Sequence, residues 1–120
     1  MPAAETQKRR MEISEDVISM CAMDAALRTD GVSSMDEVPL NRDPGRILDR
    51  EQPCRGIAVR KDKDGLILEV YLRVRYGCRI PETSWDLQEN IKNRVQDLTG
   101  MPVGRVNIHI QGVDYDNGDI

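Results

Sequence analysis

From Leu66 to Tyr76 apolar residues occupy every even position (Leu66, Leu68, Val70, Leu72, Val74, Tyr76), while the odd positions include Glu69, Arg73 and Arg75. A period of two sends these sets to opposite faces, which predicts a strand. One apolar and one charged face place it in a sheet covered on a single side, because covering the other would strip water from the charges. The uncovered face should show Glu69, Tyr71, Arg73 and Arg75. Gly77 can end the strand with backbone angles that a side chain disfavours, and Pro81 then opens a helix at a position that needs no donor. Inside it, Leu87, Ile91, Val95 and Leu98 fall on one stripe, with Asp86, Glu89, Lys92, Asn93 and Gln96 away from it. Gly100 is placed as a C-terminal cap and Pro102 prevents continuation. A second alternation follows, Val106, Ile108 and Ile110 against Asn107, His109 and Gln111, closed by Gly112. Strand, helix and strand in this order most simply form a right-handed crossover with parallel strands.

Upstream, Ser14 reads as the N-cap of a first helix, with Glu15 and Asp16 suited to its positive end. Ile13 and Ile18 stand at staple positions. The helix runs through Val17, Cys21, Ala22, Ala25 and Ala26 to about Thr29 and stops at Gly31. From Val32 to Cys54 the pattern weakens under Pro39, Asn41, Asp43-Pro44-Gly45 and Pro53; Val32 to Met35 reads as a short strand and Arg46 to Arg50 as a helical turn. A connection of that length is mobile or functional. Gly56 to Lys61 is a strand, joined to Leu66 through Asp62-Lys63-Asp64-Gly65, whose residue types suit a tight antiparallel hairpin. The expected fold class is α+β, a two-layer sandwich with helices packed on one face of a small mixed sheet, in the order α-(β)-β-β-α-β. The expected layout is a disordered N-terminal tail over 1–12, one domain over 13–113 with a long loop at 36–54, and an acidic tail over 114–120.

Composition narrows the picture. A chain of 120 residues is one domain's worth, and with no Phe, one Trp and three Tyr the core must be aliphatic. No run approaches the roughly 20 apolar residues of a membrane helix, and no signal-peptide core is visible, so a cytosolic location without direct membrane insertion is expected. Cys21, Cys54 and Cys78 are odd in number and lack metal-ligand spacing, as reduced structural thiols would. The formal charge of −4 gives no global attraction to phosphate. The basic cluster Lys8-Arg9-Arg10 reads as a solvated tail, since stable membrane attachment generally needs a second anchor.

Tyr76-Gly77, Ile80-Pro81-Glu82, Gln88 with Ile91 and Val95, Thr99-Gly100, and the run Val106-Asn107-Ile108-His109-Ile110-Gln111-Gly112-Val113 resemble the C-terminal signature of the alkaline shock protein family, the general-stress Gls type. These are envelope stress response proteins of Gram-positive bacteria. The helix from Ser14 to Gly31 and the strand start at Arg55-Gly56-Ile57 fall in the same order, so the resemblance covers about Ile13 to Val113. The loop from Asp36 to Cys54 has no matching feature, and Thr83-Ser84-Trp85 is bulkier and more polar than the usual start of this helix. The resemblance implies a non-enzymatic cytosolic scaffold that associates with itself as a homo-oligomer and with envelope-linked partners, among them a membrane-integrated protein, and so lies peripheral to the membrane.

Candidate chemistry is sparse. His109, the one histidine, has no Cys or acid at ligand spacing. A Cys78–His109 nucleophile pair lacks an oxyanion site and an orienting third group. There is no phosphate loop or serine elbow, and the acidic tail lacks the spacing of a calcium loop. No enzyme activity, cofactor or metal is expected. The uncovered sheet face is the better candidate: Arg60, Tyr71, Arg73, Arg75, Asn107, His109 and Gln111 should project from it. Two readings stand there, ordinary solvent-facing residues or a partner surface rich in Arg and Tyr. A third function class is a small RNA-binding module using the same face, with aromatic platform and cations. Trp85 lies well off the helix stripe, so it either packs on the 36–54 loop or anchors a second protein.

Overall fold

The computed structural model describes residues 13–39 and 56–115. The basic cluster, the turn expected at Arg46 to Arg50, Cys54 and the last acidic residues lie outside the described residues. Helix α1 spans Glu15–Leu27, strand β1 Val32–Met35, β2 Ile57–Asp62, β3 Gly65–Arg75, helix α2 Ile80–Thr99 and β4 Val103–Asp114. This is the expected α+β order.

Ser14 caps α1 as expected, its Oγ accepting from the Val17 N–H at 3.3 Å. The small residues Ala22, Ala25 and Ala26 are buried, so the helix backbone lies close to the layer beneath. The hairpin turns in two residues, with Asp62 opposite Gly65 and the Asp62 carboxylate accepting from the Asp64 N–H at 2.8 Å. Proline sits in the first turn of α2, and Gly100 closes the helix at φ 75°.

β3 is the spine of the sheet. It pairs antiparallel with β2 along Leu66–Val70, antiparallel with β1 along Leu72–Val74, and parallel with β4 along Leu66–Arg75. A strand has two edges, so β1 and β2 share one and β4 holds the other. Leu66, Leu68, Val70, Leu72 and Val74 are buried beneath Ile18, Ala22 and Ala26 of α1 and Leu87, Ile91 and Val95 of α2. Both helices lie on this one face.

Three expectations are corrected. Leu98 keeps the angular position of the stripe but is 57% exposed, because the last turn of α2 runs past the buried patch; Thr83 extends the stripe at the other end instead. Tyr76 lies beyond the end of β3 and is exposed, its ring 4.6 Å from that of Tyr115. Gly112 does not end β4: the register steps from Leu72↔Ile110 to Arg73↔Gly112, leaving Gln111 as a bulge, and pairing resumes to Asp114.

Candidate functional site

The face of the sheet opposite the helices carries two polar clusters. The first centres on Glu69. In the register, Glu69 lies opposite Asn107 of β4 and Ala58 of β2, and Tyr71 lies opposite His109. Asn107 Nδ2 donates to Glu69 Oε2 at 2.9 Å, Arg60 Nη2 donates to the same oxygen at 2.8 Å, and His109 Nε2 reaches Oε1 at 2.6 Å. Facing a carboxylate, that ring nitrogen is the donor. Burial by itself would raise the Glu69 pKa, but the hydrogen bonds from His109, Asn107 and Arg60 outweigh it and hold the carboxyl at about 2, against an ordinary 4.5. The His109 ring stacks on Tyr71 with centroids 4.3 Å apart and planes 9° from parallel.

The second cluster centres on Arg73. Its guanidinium meets Asp114 at 2.8 and 2.9 Å and lies 3.8 Å from Asp36, while Ser33 Oγ donates to the other Asp114 oxygen at 2.7 Å. The hydrogen bonds from Ser33 and Arg73 hold the Asp114 carboxyl below its usual range. The Gln111 bulge makes this pairing, because it returns Gly112 and Asp114 to the open face beside Arg73. A Cβ at position 112 would lie 2.6 Å from the guanidinium carbon, so a larger residue there must displace the Arg73 side chain.

Of the sequence-derived candidates, Arg60, Tyr71, Asn107 and His109 thus converge on one acid, while Arg73 belongs to the neighbouring cluster. Tyr71 is not exposed as expected: only 6% of it meets solvent, because His109 covers its ring. Arg75 and Gln111 are exposed, and no ion pair joins Arg75 to another described residue. Trp85 stands apart on α2, 63% exposed. The sequence reading placed Glu69 on this face without seeing that it organises it, and it missed Ser33, Asp36 and Asp114. Glu69 had one legible signal, as the sole acid in a strand face otherwise carrying Arg73 and Arg75.

His109 is committed to Glu69 and Tyr71, and Cys78 follows the far end of β3, with roughly 13 Å of strand between Tyr71 and Arg75 alone. The two therefore do not form a nucleophile pair. Among the described residues no group of three or more His, Cys, Asp or Glu could hold a metal, and no helix is long and apolar enough to cross a membrane. Of the cations and aromatic ring on which an RNA reading relied, Arg73 and Tyr71 are engaged within the sheet, while Arg75 is exposed.

Comparison with known proteins agrees with the residue-level resemblance. The model of the alkaline shock protein 23 family, described as having a cell envelope-related function, matches residues 3–115. The chain is 33% identical over 113 residues to the uncharacterized protein YloU of Bacillus subtilis, covering 93% of this chain and 94% of that one. It is 30% identical over 118 residues to the uncharacterized protein YqhY of the same organism, covering 97% and 85% of the two chains. The uncharacterized protein Spy1614 of Streptococcus pyogenes is 28% identical over 109 residues, 90% of each chain. No solved structure matches.

Proposed function

The chain belongs to the alkaline shock protein 23 family, with its cell envelope-related function, and from that premise we propose that it is a non-enzymatic cytosolic scaffold that associates with itself and binds an envelope-linked, membrane-integrated partner. The observation carrying this reading is the Glu69 cluster on the uncovered face of the sheet. Three donors from two neighbouring strands are locked onto one carboxylate. Side chains already fixed in place lose little further freedom when a partner docks, which favours binding. Farther along the same strand, Arg75 is exposed and available to an acidic partner group.

The test is a photo-crosslinking residue placed at Arg75 of the full chain in its native cell, followed by recovery and identification of adducts. The expected adduct is a membrane-integrated protein, diminished when His109→Ala loosens the face. Adducts confined to soluble metabolic enzymes, or a yield indifferent to the integrity of the Glu69 cluster, would refute the reading.

A further inference from the structure

β4 is the longest strand of the sheet, 12 residues, and among the described residues it pairs on one edge alone, with β3. Long bare edges are templates for another strand, and folded proteins usually blunt them with Lys, Pro or bulges. Here bulges at Gly104 and Gln111 bracket a regular stretch, Arg105–Ile110, that holds neither Lys nor Pro. Parity fixes which backbone groups in it look outward. The carbonyls of Pro102 and Asp114 accept from Leu66 and Tyr76 at the β3 side. Each bulge reverses the alternation between them, so in the regular stretch the odd residues bond to β3, and Val106, Ile108 and Ile110 turn their N–H and C=O groups away. The Gln88 side chain agrees, reaching from α2 to the Val106 carbonyl at 3.2 Å.

That bond also orients α2. Gln88 marks its β4 flank, while Asn90 bonds Thr29 on the α1 flank. Trp85 precedes Gln88 by three residues, about 4.5 Å along the helix and about 60° around it. Because α2 and β4 run in opposite directions, Trp85 stands over the level of Asn107 and Ile108. A cleft of about 240 Å³ opens between Gln88, Lys92 and the Arg105–Asn107 segment. The exposed indole and this edge of β4, which among the described residues pairs with no strand and carries one bond, from Gln88, therefore belong to one surface.

We infer that this surface takes a second copy of the chain, β4 pairing antiparallel with β4 of its twin about a two-fold axis at Ile108. The inference deepens the proposed scaffold function and rests on its self-association. Cross-strand neighbours must share a face, so the axis can lie at Asn107, Ile108 or His109. An axis at Asn107 sets Arg105 against His109 of the twin, and one at His109 sets two imidazoles together. An axis at Ile108 sets Arg105 against Gln111, Asn107 against His109 and Val106 against Ile110, with no like charges opposed. It also makes Ile108 face Ile108 through outward backbone groups, covers half-buried Ile108 and Ile110, and brings the two Trp85 side chains toward the axis. Both open faces then lie on one side of a continuous sheet. Trp85 with the edge side chains amounts to roughly 500 Å² per copy, near the small end of specific interfaces. The dimer should be weak and concentration-dependent.

Sedimentation of the full chain from about 1 to 500 µM tests this, alongside hydrogen exchange of individual amides. The expected result is a monomer–dimer equilibrium, with the Ile108 and Ile110 amides exchanging at least tenfold more slowly at the high concentration. Ile108→Pro removes an outward N–H without touching the β3 ladder, and Trp85→Glu alters an exposed helix position; each should be monomeric at 500 µM with unchanged far-UV circular dichroism. Dimers that persist in both variants, or edge amides that exchange equally fast at both concentrations, overturn the edge interface and leave self-association standing. A wild-type chain that stays monomeric throughout overturns both. Protection of those amides only when a membrane extract is added assigns the edge to another protein and overturns the inference.

Discussion

Replacing Glu69 with glutamine keeps the shape of the side chain and removes the charge that three donors address. The carboxyl sits at about 2 in the fold against an ordinary 4.5, and each pKa unit is about 1.4 kcal/mol, so the full displacement corresponds to roughly 3 kcal/mol. Arg60 is half exposed, and solvent screens its share. We therefore expect a loss of about 1–2 kcal/mol at pH 7, read as a lower urea midpoint by far-UV circular dichroism at 0.15 M salt. The sign with pH follows from the lowered value. A carboxylate stabilised in the fold contributes fully above about pH 4.5 and loses that contribution as pH falls toward about 2. The gap between wild type and Glu69→Gln should accordingly be full at about pH 5.5 and shrink to under half by about pH 3. A gap that stays constant or widens between about pH 5.5 and pH 3 would refute the assignment of Glu69 as the ionised centre of the face.

Gly112→Ala should lower the urea midpoint, because a Cβ displaces the Arg73 guanidinium from Asp114; a double substitution with Arg73→Ala should show that the two effects do not add. Ser14→Ala removes the oxygen that receives the Val17 N–H and should cost about 1 kcal/mol by the same urea titration. Leu98→Ser should lie within about 0.5 kcal/mol of wild type, whereas Leu87→Ala on the same stripe should cost about 2–5 kcal/mol, because Leu98 is exposed and Leu87 is fully buried.

The contrast between Leu98 and Leu87 shows where sequence reading stops. Alternation over Leu66–Val74, the Ser14 cap, Pro81, Gly100 and the Asp62–Gly65 turn each act through neighbours a few residues away, so their physics is written in the local sequence. They determined the elements, their order, the parallel crossover and the faces that β3 and β4 bury. Periodicity gives an angle around a helix but not how far the opposing layer extends; it could not tell that Leu98 overshoots it, or that Tyr76 falls past the end of the strand. Register between strands is likewise a global property. Only the paired sheet brings Arg60, Asn107 and His109 to Glu69, adds the bulge that turns Asp114 toward Arg73, and leaves one edge of β4 without a strand partner among the described residues. Those contacts join residues up to 81 positions apart, and a distance of that kind is closed by packing of the whole core.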